Sequence, residues 1–267
     1  MKVITKTIFA ILCFATVLPA MAQSTLRPQL SDAKHNSFGP GEDLVYSVKY
    51  GFVKGGEGHF YVSDTIINGR HANHIVCAGR TTGVADAFFK VRDSYESYLD
   101  AETQLSVMSK RNIREGRYKY NDVVTYNRSD NSINKSIKKR DNPVVNDSHE
   151  VPARILDIVG AFYHARNNAF NTGLVVGDTI CYETFFSNQV FPLYIKYRGT
   201  ETIKTIFGKQ ECYKFSPITE VGRSFKTEDD MHIWITKDDN CLPVKIKFDL
   251  TVGSFVCELS QAKGLLH

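Results

Sequence analysis

The sequence predicts a mainly β fold, a large antiparallel meander forming a sandwich or open barrel, with one substantial helix and one short helix. Three observations predict it. Apolar and polar residues alternate with a period of two in run after run, as in Leu44, Tyr46, Val48 and Tyr50 against Val45, Ser47 and Lys49, the pattern of a half-buried strand. Turn-forming pairs such as Asn68-Gly69 and Glu115-Gly116 punctuate these runs at short intervals. One stretch, Ile155 to Tyr163, carries apolar residues at spacings of three and four and reads as a helix.

At the N-terminus, Lys2 and Lys6 precede an apolar run from Ile8 to Leu18, and Ala20-Met21-Ala22 follows. This is the plan of a secretory signal peptide over residues 1–22, too short in its apolar part to span a bilayer. Cys13 lies inside the apolar run and follows Leu12, so no lipid anchor is expected. The mature chain is expected to be exported, periplasmic and soluble. Residues 23–38 are polar, contain Pro28 and read as a flexible arm. A single β domain is expected over 39–267.

The first strand runs from Leu44 to Tyr50. Gly51, Gly55, Gly56 and Gly58 break it and turn the chain into a second strand, Phe60 to Ile67. Asn68-Gly69 then supplies the two positive-φ positions of a type I′ hairpin leading to His71–Arg80. Thr82 to Lys90, with Val84, Ala85, Ala87, Phe88 and Phe89, reads as a short helix or turn. Alternation returns over Tyr95–Leu99, Ser106–Glu115, Lys119–Asn127 and Ser132–Ile137, and Lys138-Lys139-Arg140-Asp141-Asn142-Pro143 is a basic, solvated loop. Val151-Pro152 opens the long helix, whose stripe is Ile155, Leu156, Ile158, Val159, Phe162 and Tyr163, and Asn167-Asn168 and Gly173 end it. Strands follow at Thr179–Phe186, Phe191–Arg198, Glu201–Ile206, Glu211–Ser216, Met231–Thr236, Pro243–Leu250 and Ser254–Leu259.

Composition narrows the function. The chain has 33 basic and 29 acidic side chains in 267 residues and is 42% hydrophobic. Removing the leader lowers the net charge from +4 to +2, which gives no electrostatic footprint for nucleic acid. Five cysteines then remain, Cys77, Cys181, Cys212, Cys241 and Cys257, all in apolar or aromatic contexts and none in a C-x-x-C pair. They read as small core hydrophobes. If a disulfide forms, Cys212 with Cys241 is the favoured pair, because both fall in the C-terminal strand series.

The stretch Pro40-Gly41-Glu42-Asp43-Leu44-Val45-Tyr46-Ser47-Val48-Lys49-Tyr50-Gly51, followed by Lys54-Gly55-Gly56-Glu57-Gly58, resembles the DUF3108 family of exported bacterial proteins. Lys90 to Asp100 and Ile233 to Lys245 extend the resemblance, which covers about residues 38–262. It implies an antiparallel meander similar to the sheet of YmcC-type capsule-assembly lipoproteins. The missing lipid-attachment cysteine departs from those lipoproteins. The resemblance transfers no catalytic residue.

Chemistry is sparse in the sequence. His59, His71, His74 and Cys77 invite a metal, but residues three apart on a strand point to opposite faces, so no metal is expected. No G-x-S-x-G elbow is present, and Gly55-Gly56-Glu57-Gly58 lacks the lysine-serine ending of a phosphate loop. No cofactor is expected. Carboxylates such as Asp93, Glu96 and Asp100 leave room for a polysaccharide-acting enzyme as the rival reading. The leading reading is a non-catalytic protein that binds an envelope glycan or lipid on aromatic faces flanked by fixed polar groups. Its candidate ligand contacts are Arg92, Asp93, Tyr95, Tyr118, Tyr197 and Trp234. A structural or adaptor subunit with an envelope protein partner is the third reading.

Overall fold

The computed structural model describes residues 26–27, 35–169, 173–218, 227, 229–250 and 253–267. The expected leader, 1–22, lies outside the described residues. In chain order the elements are β1 (Leu26–Arg27), β2 (Asp43–Tyr50), β3 (Val53–Ile67), β4 (Arg70–Thr81), α1 (Gly83–Phe88), β5 (Arg92–Asp100), β6 (Ser106–Glu115), β7 (Tyr118–Asn127), β8 (Ser132–Lys139) and β9 (Val145–Glu150). Then come α2 (Ile158–Ala169), β10 (Thr179–Phe186), β11 (Gln189–Thr205), β12 (Gly208–Pro217), β13 (Met231–Thr236), β14 (Pro243–Asp249) and β15 (Ser254–Lys263).

All strands belong to one sheet, in the order β1-β10-β11-β12-β13-β14-β15-β2-β3-β4-β5-β6-β7-β8-β9. Every pairing is antiparallel except β1 with β10. The chain thus meanders away from β2 in one direction and returns to it from the other, with β15 closing onto β2. The sheet curls until β10 approaches β7 and β8. Val124, Tyr126, Ile133 and Phe185 bury together with Val151 and Ile155 of the segment before α2. That segment bridges the two sides: Val151 N–H donates to Asn131 O at 2.8 Å, and Phe185 N–H to Leu156 O at 2.8 Å.

Helix α2 fills the interior. Ile158, Val159, Ala161 and Tyr163 join inward side chains of β5, β10, β11 and β13 in the main core, and each large apolar side chain buried this way contributes about 1.5–3 kcal/mol. The helix starts at Ile158 and not, as the pattern predicts, at Val151-Pro152. Asp157 caps it, accepting Gly160 N–H at 2.8 Å, while Ser97 and Ser106 donate their hydroxyls to its other oxygen at 2.6 and 2.7 Å. Pro152 to Ile155 instead make a turn, closed by Ile155 N–H donating to Pro152 O at 3.0 Å, and Val151 and Ile155 bury in the seam between the sheet's two sides while Leu156 joins the main core.

Further departures have physical causes. Of the glycines expected to break the chain before β3, Gly55, Gly56 and Gly58 lie inside it. The turn is confined to Gly51-Phe52, and a Cβ on Gly56 would stand 2.7 Å from Arg80 O, so glycine there permits close approach of β4. The strands expected at Phe191–Arg198 and Glu201–Ile206 are one, β11, with a bulge absorbing the residues between Tyr197 and Thr200. Strand β9 is polar on both faces and carries no alternation to read.

The expected loose arm is tied down where it is described. Leu26 and Arg27 pair with Thr179 and Ile180. Ser37 donates both its N–H and its hydroxyl to Asn167 Oδ1 at 2.7 Å, and Phe38 packs edge-on against Tyr163. These partners come from α2, far along the chain, where local patterning gives no hint. The favoured Cys212–Cys241 disulfide does not form, and all five described cysteines are free thiols. Cys212 buries with Trp234 and Leu242, whereas Cys241 sits in the main core. Burial pushes both thiols up to about 11, so they stay protonated and inert at neutral pH.

Candidate functional site: a polar groove on the outer sheet face

The register of β2 to β6 places a row of mostly short side chains across the sheet. Val45, His59, Ala78, Ser94 and Asn112 are successive cross-strand partners, and Glu57, Arg80 and Arg92 form the adjacent row. Gly58 pairs with Gly79 between these rows. Short side chains on the floor and long ones at the sides leave a groove of ≈ 550 Å³, lined also by Asp93 and Arg114.

Its charges are fixed to different degrees. Arg80 donates to Glu57 Oε2 at 3.2 and 2.7 Å, and Lys54 reaches Oε1 of the same carboxylate at 3.1 Å. Arg92 grips Asp86 of α1 with two nitrogens at 2.7 and 3.0 Å. Those hydrogen bonds, helped by Thr81, hold the Asp86 carboxyl down at about 2. Helix α1 therefore acts as a bracket that orients Arg92. Thr81 completes it by donating to Asp86 at 2.7 Å and accepting Val91 N–H at 3.0 Å. Arg114 is different. It is exposed, its Nε donates to Asn112 Oδ1 at 3.2 Å, and no carboxylate pairs with it among the described residues.

Asp93 has 3% of its surface exposed. Its Oδ1 accepts Arg114 N–H at 2.7 Å, while its buried Oδ2 has no hydrogen-bond partner among the described residues. Burial raises this carboxyl from its ordinary 3.8 to about 6, against the opposing pull of the Arg114 amide. Because the folded value is the higher one, stability from this group is full below pH 3.8 and is lost as pH climbs through 6. Asp93→Asn is expected to flatten that decline. In thermal melts the variant's advantage over wild type should be larger at pH 8 than at pH 4, and an equal difference at both would contradict the assignment.

A second polar constellation lies inside. Arg111 donates to Asp122 Oδ1 at 2.9 Å and to the Tyr120 hydroxyl at 2.9 Å, and Tyr120 in turn donates to Asp122 Oδ2 at 2.8 Å. Lys135 lies 3.4 Å from Asp122 and also bonds Asn188. Burial pushes the Asp122 carboxyl up, but Arg111 and Lys135 outweigh it and hold it below the ordinary range. Beside this cluster is a space of only ≈ 20 Å³, room for about one water molecule and not for a ligand. The cluster ties β6, β7 and β8 to the β10–β11 turn.

The family model for a protein of unknown function, DUF3108, matches residues 45–260. The chain belongs to the DUF3108 family. The crystal structure of a beta-barrel-like protein of the domain of unknown function DUF1849 from Brucella abortus is similar in fold. It superposes with a TM-score of 0.51 at 7% identity, over 84% of this chain and 97% of that one. No curated protein matches this DUF3108 chain. Among the described residues, no helix is long and apolar enough to cross a membrane.

Of the six contacts expected from sequence, this DUF3108 fold brings only Arg92 and Asp93 together in the groove. Tyr95 is buried in the main core beside the inner cluster. Tyr197 packs against Tyr213 and Phe215 in the interior. Trp234 is buried, donating its indole N–H to Glu201 at 3.0 Å beneath Lys214 and Lys245. Tyr118 is exposed at the β6–β7 turn, away from the groove floor. These four aromatics fill or edge the sheet and do not converge on a ligand. His59, His71 and His74 pair separately, with Asp43, Asp64 and Glu96. Sequence reasoning missed Glu57, Arg80 and Arg114. The signal was available in part, since counting outward from the two-residue turn Asn68-Gly69 pairs Gly58 with Gly79 and Glu57 with Arg80.

Proposed function

We propose that this DUF3108 protein is an exported, periplasmic, non-catalytic binding protein of the cell envelope that holds an acidic glycan, or the acidic headgroup of a lipid, in the β2–β6 groove. One observation carries the reading: Arg114 presents a guanidinium without a carboxylate partner among the described residues into a groove whose other arginines, Arg80 and Arg92, are locked in place by Glu57 and Asp86. A planar fork of this kind suits a carboxylate or phosphate. The interior supports a polar ligand over an acyl chain, because α2 and the main core occupy it. The basic start and apolar run of residues 1–22 support export. An enzymatic reading finds less support, since Glu57 is committed to Arg80 and Lys54 and Asp93 is buried.

Calorimetric titration at low salt with glucuronate oligosaccharides and with glycerol 3-phosphate, beside neutral glucose oligosaccharides, tests this. The acidic probes should bind and the neutral ones should not. Arg114→Ala should weaken binding by about tenfold or more, as loss of a charge-assisted hydrogen bond does. No heat from either acidic probe, or unchanged affinity in the variant, would defeat the proposal.

A further inference from the structure

One end of the sheet combines bare aromatic side chains with unpaired cations. At the β2–β3 turn Phe52 is fully exposed and Val53 largely so, and on α1 Val84 is exposed and Phe88 is 83% exposed. The two features adjoin: Thr82 N–H donates to Gly55 O at 3.0 Å, and a Cβ on Gly55 would touch Ala85 at 3.5 Å. The same end continues through the neighbouring turns. Gly116 N–H donates to Lys90 O at 2.8 Å, and Arg140 N–H to Lys119 O at 3.0 Å. The strand ends at Tyr50, Val53, Thr81, Arg92, Glu115, Tyr118, Lys139 and Val145 therefore form one continuous arc.

The arc is basic. Lys54, Lys90, Arg117 and Lys119 are exposed on it, as are Lys138 and Lys139 at the end of β8 and Arg140 in the turn after it. Of these seven, only Lys54 meets a carboxylate among the described residues, Glu57. The acidic groups nearby are few: Glu57 is shared by Lys54 and Arg80, Asp86 is held by Arg92, and Glu115 and Asp141 lie at the turns. Read alone, the stretch Lys138-Lys139-Arg140, expected as a loop, is an ordinary solvated strand end and turn. The fold sets it on the same end as Phe52 and Phe88.

We infer that this end docks on the surface of an anionic lipid bilayer, with Phe52 and Phe88 inserted at the headgroup level and the lysines and arginines above them. Charge complementarity selects this occupant. A fully exposed phenylalanine at a turn tip gains by leaving water, and each lysine or arginine near an anionic surface adds to the attraction. A second copy of the chain would bring the same positive arc against itself. The inference goes beyond the groove and rests on other residues.

Sedimentation with vesicles tests it, using full-length chains that differ only by substitution, so that the apolar N-terminal segment contributes equally. Wild type should sediment with vesicles of phosphatidylcholine mixed with phosphatidylglycerol far more than with phosphatidylcholine alone, and added salt should weaken this. Phe52→Ser/Phe88→Ser, and separately Lys138→Glu/Lys139→Glu/Arg140→Glu, should each reduce binding to the mixed vesicles by about tenfold or more. All the substituted side chains are exposed, so melting temperatures should stay near wild type. Unchanged sedimentation of either variant, or equal binding to both vesicle types, would overturn the inference. So would a concentration-dependent dimer, lost in the phenylalanine variant, that ignores vesicles. Phe52→Ser/Phe88→Ser lies outside the groove and should keep the affinity of wild type for soluble glucuronate oligosaccharides and glycerol 3-phosphate, which separates failure here from failure of the groove.

Discussion

Glu42→Ala is expected to lower the unfolding free energy by about 3–5 kcal/mol, the range for breaking a buried ion pair by removing one partner. Arg166 and Glu42 have 0% and 1% of their side-chain surface exposed, deep inside the curled sheet. Arg166 donates to both Glu42 oxygens at 2.8 Å, to Cys241 O and Asn240 O at 3.1 Å, and to Ser37 O at 3.4 Å. Its guanidinium also lies 4.8 Å from the centre of the Tyr163 ring. One side chain of α2 thus joins the segment entering β2 to the β13–β14 connection, which explains why residues 35–42 are held. Without Glu42 the cation stays buried and unpaired, because a guanidinium keeps its proton throughout the physiological pH range. Urea denaturation measures the effect. The double variant Glu42→Ala/Arg166→Met should recover part of the loss, since removing both charges removes the stranded one. A single-variant loss within the range of a surface pair, about 0–1 kcal/mol, would contradict the assigned role.

Asp122→Ala is expected to cost a similar amount, about 3–5 kcal/mol, for the same reason taken one step further. Asp122 stands between two cations, Arg111 and Lys135, and accepts from Tyr120 as well. Its removal leaves two like charges facing each other with their anion gone. Lys135 already titrates below the ordinary lysine range, chiefly because of burial, so it is the partner that gives up its proton when Asp122 is lost. Asp122→Ala should therefore be most destabilised at low pH, where Lys135 is forced to stay charged, and should recover as pH rises toward 9 or so. Equilibrium unfolding at pH 6 and pH 9 checks this sign. Adding Lys135→Met should recover stability and remove the difference between the two pH values.

Much of the architecture was legible because strands announce themselves locally. The alternation in Leu44–Tyr50 and the Asn68-Gly69 pair, at φ 51° and 78°, produced the elements they predict. What failed was information held by distant partners. The glycines at 55 and 56 read as a chain break, yet they make room for α1 and for the β4 backbone. Asp157 looks like any acid in sequence, yet Ser97 and Ser106, far upstream, make it the cap that decides where α2 begins. The site followed the same division. Arg92 and Asp93 were visible as a charged pair beside alternating tyrosines, but whether a tyrosine faces the core or a ligand depends on how the sheet curls, and that put Tyr95 and Tyr197 inside. Arg114 carried no signal of its own, because its distinction is that no carboxylate among the described residues pairs with it in three dimensions.

The central claim is that an acidic ligand occupies the outer groove of β2–β6. Amide chemical-shift mapping by two-dimensional NMR, during titration with a glucuronate oligosaccharide, tests it most directly. The account predicts saturable shifts at Gly58, Gly79, Ser94 and Arg114, absent in the Arg114→Ala variant. Shifts confined to another face of the sheet, or none at saturating probe, would contradict it.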